Sequence, residues 1–244
     1  MTTAQLEKTQ RKIQQEPRPM RWTKEQYHAM ADMGWFEGKR VELLQGEIFE
    51  KYPDEPPYEP RPMRWTKEQY YHMADMGWFD DKRVELIEGE IIEMSPVGST
   101  HWACVELTVQ ALRAIFGPGY VVSAQNAFDA GEGAEPQPDI IVIPGSPRDY
   151  KDRLPSVALL VVEVADTTLV SDRTQKAALY AKAGIPEYWI VNLLRRRLEV
   201  HRAPAAQPHK FGFGYNDVTT HSAADTVAPL AAPQSSIAVA DLLP

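Results

Sequence analysis

Apolar residues in 99–116, STHWACVELTVQALRAIF, recur at helical spacing. Trp102, Val105, Val109, Leu112 and Phe116 share one face, so an amphipathic helix is predicted. Ser99 or Thr100 is its expected cap and Gly117-Pro118 its stop. The period then changes. YVVSAQNAF (120–128) suits a strand, and GEGAEPQ (131–137) is a polar loop. IIVI, opened by Pro138-Asp139, is a short β-branched run of the kind found in buried strands. After the loop PGSPRDYKDRLP, VALLVVEVA (157–165) predicts a second buried strand. SDRTQKAALYAKAG (171–184) reads as an amphipathic helix capped by Ser171 or Asp172 and ended by Gly184. EYWIVNL and RLEVHRA are strands joined by a turn near Leu194–Arg196, and FGYNDVTT and IAVADLL close the chain. Strands alternating with helices imply an α/β fold, a mixed central β-sheet flanked by helices.

Ahead of this region the pattern repeats. RPMRWTKEQYHAMADMGWFEGKRVELLQGEIFE (18–50) recurs without gaps 43 positions later, at 61–93. Seven pairs differ: His28/Tyr71, Ala29/His72, Glu37/Asp80, Gly38/Asp81, Leu44/Ile87, Gln45/Glu88 and Phe49/Ile92. Each copy predicts one helix and one hairpin. Thr23 and Thr66 stand three residues before Gln26 and Gln69, the spacing of a capping box. Gly34 and Gly77 suit the position just past a helix end. RVEL-x-x-GEI places apolar residues on either side of a glycine turn. Prolines crowd the stretch between the copies, so 51–61 is expected to be an extended linker. The predicted organisation is a tail (1–17), an extra helix–hairpin copy (18–50), the linker (51–61), and a domain over 62–244 that contains the second copy. Trp22, Trp35 and Phe36 of the extra copy are too apolar to stay in water, so that copy is expected to dock.

Composition removes several alternatives. No uninterrupted apolar run approaches the ~20 residues of a membrane helix, and the first residues lack the apolar core of a secretory signal. Cys104 is the only cysteine, which excludes an intrachain disulfide and a multi-cysteine zinc site and makes a cytoplasmic location the expectation. The net charge of −8 argues against tight non-specific DNA binding while allowing a local basic groove.

The chemistry concentrates at a few charged residues. In VALLVVEVA, alternation places Val157, Leu159, Val161, Glu163 and Ala165 on one face. An unpaired carboxylate there would cost several kcal/mol, so Glu163 either binds a cation or sits in a buried salt bridge, with Lys176 or Arg173 as candidate partners. Asp139 lies at the mouth of its strand. If the two strands are neighbours, the carboxylates converge into a set of hard oxygen ligands suited to Mg2+ or Mn2+. Asp172, Lys176 and Tyr180 fall at i, i+4 and i+8, so Lys176 is either half of a surface ion pair with Asp172 or an inward cation serving a polyanionic substrate. The arginines at 195, 196, 197 and 202 form the most basic stretch, which either holds backbone phosphates or, the favoured reading, is an exposed β-turn.

PDIIVI, LLVVEVADTT, SDR-x-x-K-AALYAKAGIPEYWIVNL, RLEVHR and the second WTKEQYYHMADMGWFDDKRVELIEGEIIEMSP-x-x-x-x-H together resemble the Uma family of restriction endonucleases, within the PD-(D/E)XK nuclease superfamily, over about 61–244. The resemblance implies a restriction-endonuclease-like core and metal-dependent hydrolysis of phosphodiester bonds in DNA. It implies Asp139 and Glu163 as ligands of Mg2+ (or Mn2+), with the Val164 carbonyl as a backbone ligand. The superfamily lysine two residues after the glutamate is Ala165 here, and the resemblance passes that role to Lys176. The family's Glu-Leu-Ile-x-Gly glutamate maps onto Glu85, a further possible ligand, with Glu42 in the extra copy. Tyr180, Arg173 and His101 are the candidate substrate contacts. Double-stranded DNA is the expected substrate and a homodimer the expected assembly. The competing expectation is a catalytically inactive module on the same fold that self-associates through the duplicated segment.

Overall fold

The computed structural model describes residues 17–52 and 59–244. Residues 1–16 of the expected tail and 53–58 of the expected linker lie outside them. The described residues divide into two units: 17–94 with 132–134, and 95–131 with 135–244. The second copy of the repeat thus groups with its sibling.

In the first unit each copy folds as its sequence dictates. Helices α1 (Lys24–Asp32) and α2 (Lys67–Asp75) start at Thr23 and Thr66, and both capping boxes are complete. Gly34 and Gly77 adopt positive φ, and each helix ends with paired bonds, Gly34 N–H to Ala31 O with Trp35 N–H to Met30 O, and their equivalents. Such an ending satisfies two of the helix's last carbonyls. The hairpins follow, β2 (Arg40–Leu44) with β3 (Glu47–Lys51), and β5 (Val84–Ile87) with β6 (Glu90–Glu93). Their two-residue turns, Gln45-Gly46 and Glu88-Gly89, have both residues at positive φ. That geometry matches the twist of the strands it joins.

The sequence does not announce a third strand in each sheet. Arg18–Pro19 (β1) pairs with β6 of the second copy, and Arg61–Pro62 (β4) pairs with β3 of the first. The copies exchange their Arg-Pro-Met arms, giving sheets β1-β6-β5 and β2-β3-β4. Proline is tolerated because each arm is an edge strand. One core is shared between the copies, including Met20, Trp22, Met30 and Ile48 from the first and Met63, Trp65, Met73 and Ile91 from the second. The Trp22 and Trp65 rings meet edge to face, 5.6 Å between centroids.

The second unit is a six-stranded sheet in the order β12-β11-β10-β9-β8-β7. Its strands are β7 (Tyr120–Ala124), β8 (Ile140–Pro144), β9 (Leu160–Ala165), β10 (Glu187–Asn192), β11 (Arg197–Ala206) and β12 (Phe213–Ser222). Only β9 and β10 run parallel, as expected for strands joined through a helix. One face packs against α3 (Ser99–Ile115), through Cys104, Val105, Val109 and Leu112 over Ile140, Val162, Val164 and Trp189. Gly98 stands at the N-cap, in place of the predicted Ser99 or Thr100. Trp102, expected on the buried face, is 61% exposed: the face toward the sheet is centred on Cys104, Val105, Thr108 and Leu112, and Trp102 falls outside that arc. The Cys104 thiol donates to the Leu242 carbonyl at 3.1 Å, and burial raises its pKa to about 12. It is a packed hydrophobe with one hydrogen bond, not a reactive thiolate.

The opposite face packs against α4, which runs Leu169–Ser171, a π-helical turn Asp172–Lys176, and Ala177–Lys182. Thr168 precedes it, where Ser171 or Asp172 was the predicted cap. Gly184 ends it at positive φ as predicted. The π-turn turns Asp172 and Lys176 into the protein together. Its widened ring is closed by Ala177 N–H to Asp172 O, and the Tyr188 hydroxyl donates to that same carbonyl at 3.1 Å. Single π-turns of this kind recur at functional positions.

Candidate active site

The site forms where β8 begins and β9 ends, under α4. Register sets Ile140 opposite Val162 and Ile141 opposite Val161, so Asp139 at the head of β8 lies beside the last residues of β9. The Asp139 Oδ2 atom accepts the Val164 N–H at 2.8 Å and lies 3.1 Å from His101 Nε2 on α3. A carboxylate oxygen only accepts, so the His101 Nε2–H donates to Asp139 Oδ2. Burial alone would raise the Asp139 carboxyl. The His101 hydrogen bond and charge, the Lys176 charge and the Val164 N–H outweigh it and hold the pKa below its ordinary value.

Alternation along β9 sends Val161, Glu163 and Ala165 to the face covered by α4. There Lys176 Nζ lies 2.9 Å from Glu163 Oε1, and the Tyr180 hydroxyl donates to the same oxygen at 2.6 Å. Glu163 is 3% exposed and Lys176 4%. Asp139, Glu163 and Lys176, separated in sequence, are therefore assembled in one place: Lys176 bonds to Glu163 and its charge acts on Asp139.

The remaining predicted residues are placed as follows. Val164, whose carbonyl is expected on the metal, gives its N–H to Asp139. Arg173 makes a two-pronged pair with Glu199, Nε to Oε2 at 2.7 Å and Nη2 to Oε1 at 2.6 Å. Glu85 lies in β5 of the other unit, 1% exposed. Its counterpart Glu42 is ion-paired to Lys51 at 2.5 Å. The residue equivalent to Lys51 in the second copy is Met94, so the two glutamates have parted in character. Arg197 and Arg202, each partly exposed, pair with the buried Glu199 and Glu187. Two roles escaped the sequence. His101 is Asp139's partner, and Tyr180 holds Glu163. Neither pairing leaves a periodic trace, although the four-residue step from Lys176 to Tyr180 put both on one helix face.

A divalent cation is implied by the fold family, and the donor set fits one. Asp139 and Glu163 share one neighbour: Lys176 Nζ is 2.9 Å from Glu163 Oε1 and its charge acts on Asp139. Asp139 accepts from His101 Nε2 and Val164 N–H on Oδ2, and Glu163 accepts from Lys176 and Tyr180 on Oε1. Among the described residues no group of three or more His, Cys, Asp or Glu forms a complete cage.

Glu199 shows what a purely structural carboxylate looks like here. Burial would raise its pKa, but the hydrogen bonds from Arg173 and Asn192 and the charges of Arg173 and Arg197 lower it. A lowered folded pKa means that its stabilisation is complete above the unfolded value and is lost as pH falls through the folded one. Glu199→Ala is expected to cost about 1.5–3 kcal/mol at neutral pH. In urea melts the deficit should shrink as the buffer is taken below the ordinary glutamate pKa; a pH-independent deficit would contradict the assignment.

The mixed six-stranded sheet with helices on its faces is a restriction-endonuclease-like α/β core. Residues 67–240 match the family Uma2, described as "Putative restriction endonuclease", and the chain belongs to that family. A solved structure from Anabaena variabilis ATCC 29413, titled a "putative nuclease belonging to DUF820", aligns with a TM-score of 0.55 at 16% identity, over 72% of this chain and 96% of that one. It shares the fold. No curated protein matches the chain. Among the described residues no helix is long and apolar enough to cross a membrane.

Proposed function

We propose that the chain is an endonuclease that hydrolyses phosphodiester bonds in double-stranded DNA with the help of Mg2+ or Mn2+. The observation that carries this reading is the buried Lys176–Glu163–Tyr180 cluster set beside Asp139. Asp139, Glu163 and the Val164 carbonyl would hold the ion. When bound, it polarises the scissile phosphate and acidifies a water. Asp139 is kept ionised, with the His101 and Val164 N–H groups fixing its orientation. Tyr180 fixes the Glu163 carboxylate. Lys176 is a preorganised ammonium that stabilises negative charge as it develops on the phosphate. Its stem reaches from the π-turn of α4 to the end of β9, which supplies a cation where the superfamily lysine is replaced by Ala165.

The closed Lys176–Glu163 pair also favours a second reading, a nuclease-fold module that binds without cutting. Calorimetric titration with Mg2+ or Mn2+ and cleavage of supercoiled plasmid separate the two. The endonuclease reading expects a millimolar-or-tighter metal site, lost in Asp139→Ala together with plasmid nicking. A wild-type protein that binds no divalent ion and nicks nothing supports the module.

A further inference from the structure

The two copies of the repeat meet as equals. The ten residues lining the cavity between them form five pairs offset by 43 positions, among them Met20 with Met63, Trp22 with Trp65, and Ile48 with Ile91. The hydrogen bonds repeat in the same way. Met20 N–H donates to Ile91 O at 2.8 Å, and Met63 N–H donates to Ile48 O at 2.8 Å. Each arm lies on the other copy's hairpin. This is the geometry of an isologous contact, in which one patch fits itself. Here it is realised inside one chain.

The family match begins at residue 67, so the first copy and the second copy's own arm, residues 61–66, lie outside it. Without that copy, the face built from Met63, Trp65 and Ile91 would lose its cover. All three are now buried. Among the described residues, the surface that complements it is another copy of the same segment. We propose that residues 18–50 are a built-in cap: they fill, within one chain, the face through which the second copies of two chains would otherwise pair by exchanging arms. Nine residues of sequence separate Lys51 from Arg61. So short a tether presents the internal partner at an effective concentration on the order of millimolar. At micromolar protein the internal partner wins, and the full chain is monomeric through this face, a departure from the expected homodimer.

Sedimentation velocity on the full chain tests the cap. Wild type is expected at 27.6 kDa. Met20→Asp with Trp22→Asp disables the first copy, and the mass should double in a concentration-dependent way. Adding Met63→Asp, which disables the second copy, should return it to the monomer. A folded double variant that stays monomeric at high concentration overturns the proposal. Because these substitutions can also unfold the unit, a second measurement leaves the core intact. Arg18 and Glu93 face each other across the β1–β6 ladder, so Arg18→Cys with Glu93→Cys is oxidised in the full chain; the native Cys104 is buried. A disulfide within a single chain on a non-reducing gel supports the cap. A disulfide between two chains, or none, overturns it.

Discussion

Glu163→Gln is expected to lower metal-dependent cleavage of duplex DNA by at least about 10²–10³-fold, the scale on which removing one electrostatic element of an active site acts. The substitution keeps the shape of the side chain. Its amide oxygen still accepts from Tyr180 O–H and Lys176 N–H, the two bonds that now end on Oε1. The charge is lost, and with it the attraction for a divalent ion; one acceptor oxygen becomes an NH2 donor and the buried Lys176 loses its counter-ion, so stability is expected to fall as well and is measured beside the rate. A drop in rate with native circular dichroism would assign the effect to chemistry. Asp139→Asn is the companion. It removes the other charge, and its carbonyl oxygen can keep the bond from Val164 N–H. Undiminished cleavage by purified Glu163→Gln would sink the endonuclease reading. The same variant should lose the calorimetric metal site in parallel, because one carboxylate is asked to serve both.

Glu163 stood out in the sequence because a carboxylate in an apolar strand contradicts its surroundings, and its buried bond to Lys176 was one of the two expectations for it. Lys176 was legible from its place on a helix that directly follows that strand. The phase of β9 was legible too, since Val161, Glu163 and Ala165 share the expected face. Other parts were not. His101 and Asp139 are 38 residues apart, and single pairings at such a distance leave no pattern along the chain. The π-turn at Asp172–Lys176 is set by tertiary contacts, a tyrosine from β10 and a glutamate from β9, that the helix's own residues do not encode. Trp102 looked like core because its spacing was helical, but periodicity cannot fix the width of a buried face. The exchange of arms was hidden for another reason. Arg18–Pro19 and Arg61–Pro62 are too short to show alternation, and the near-identity of the copies makes pairing within a copy and pairing between copies look alike in sequence.

Lys176→Met should destabilise the protein by about 3–5 kcal/mol, the cost of leaving a buried charge without its partner. Glu163 would remain buried with the Lys176 charge gone, and chemical denaturation would read the loss directly. Combining Lys176→Met with Glu163→Gln removes both charges, so the double variant should regain part of that stability, a coupling of about 0.5–3 kcal/mol. A buried ion pair is rarely the most stable choice for its position, and an uncharged replacement of similar volume often matches it. If the double variant is nearly as stable as wild type and cuts no DNA, the pair is not explained by the fold's needs, and its retention points to the chemistry at β8 and β9. If the two losses simply add, Lys176 and Glu163 act independently, and the lysine has no claim to the site. Lys176→Arg sharpens the distinction. A guanidinium can still neutralise Glu163 but cannot occupy the ammonium's place, so it should rescue stability better than it rescues cleavage.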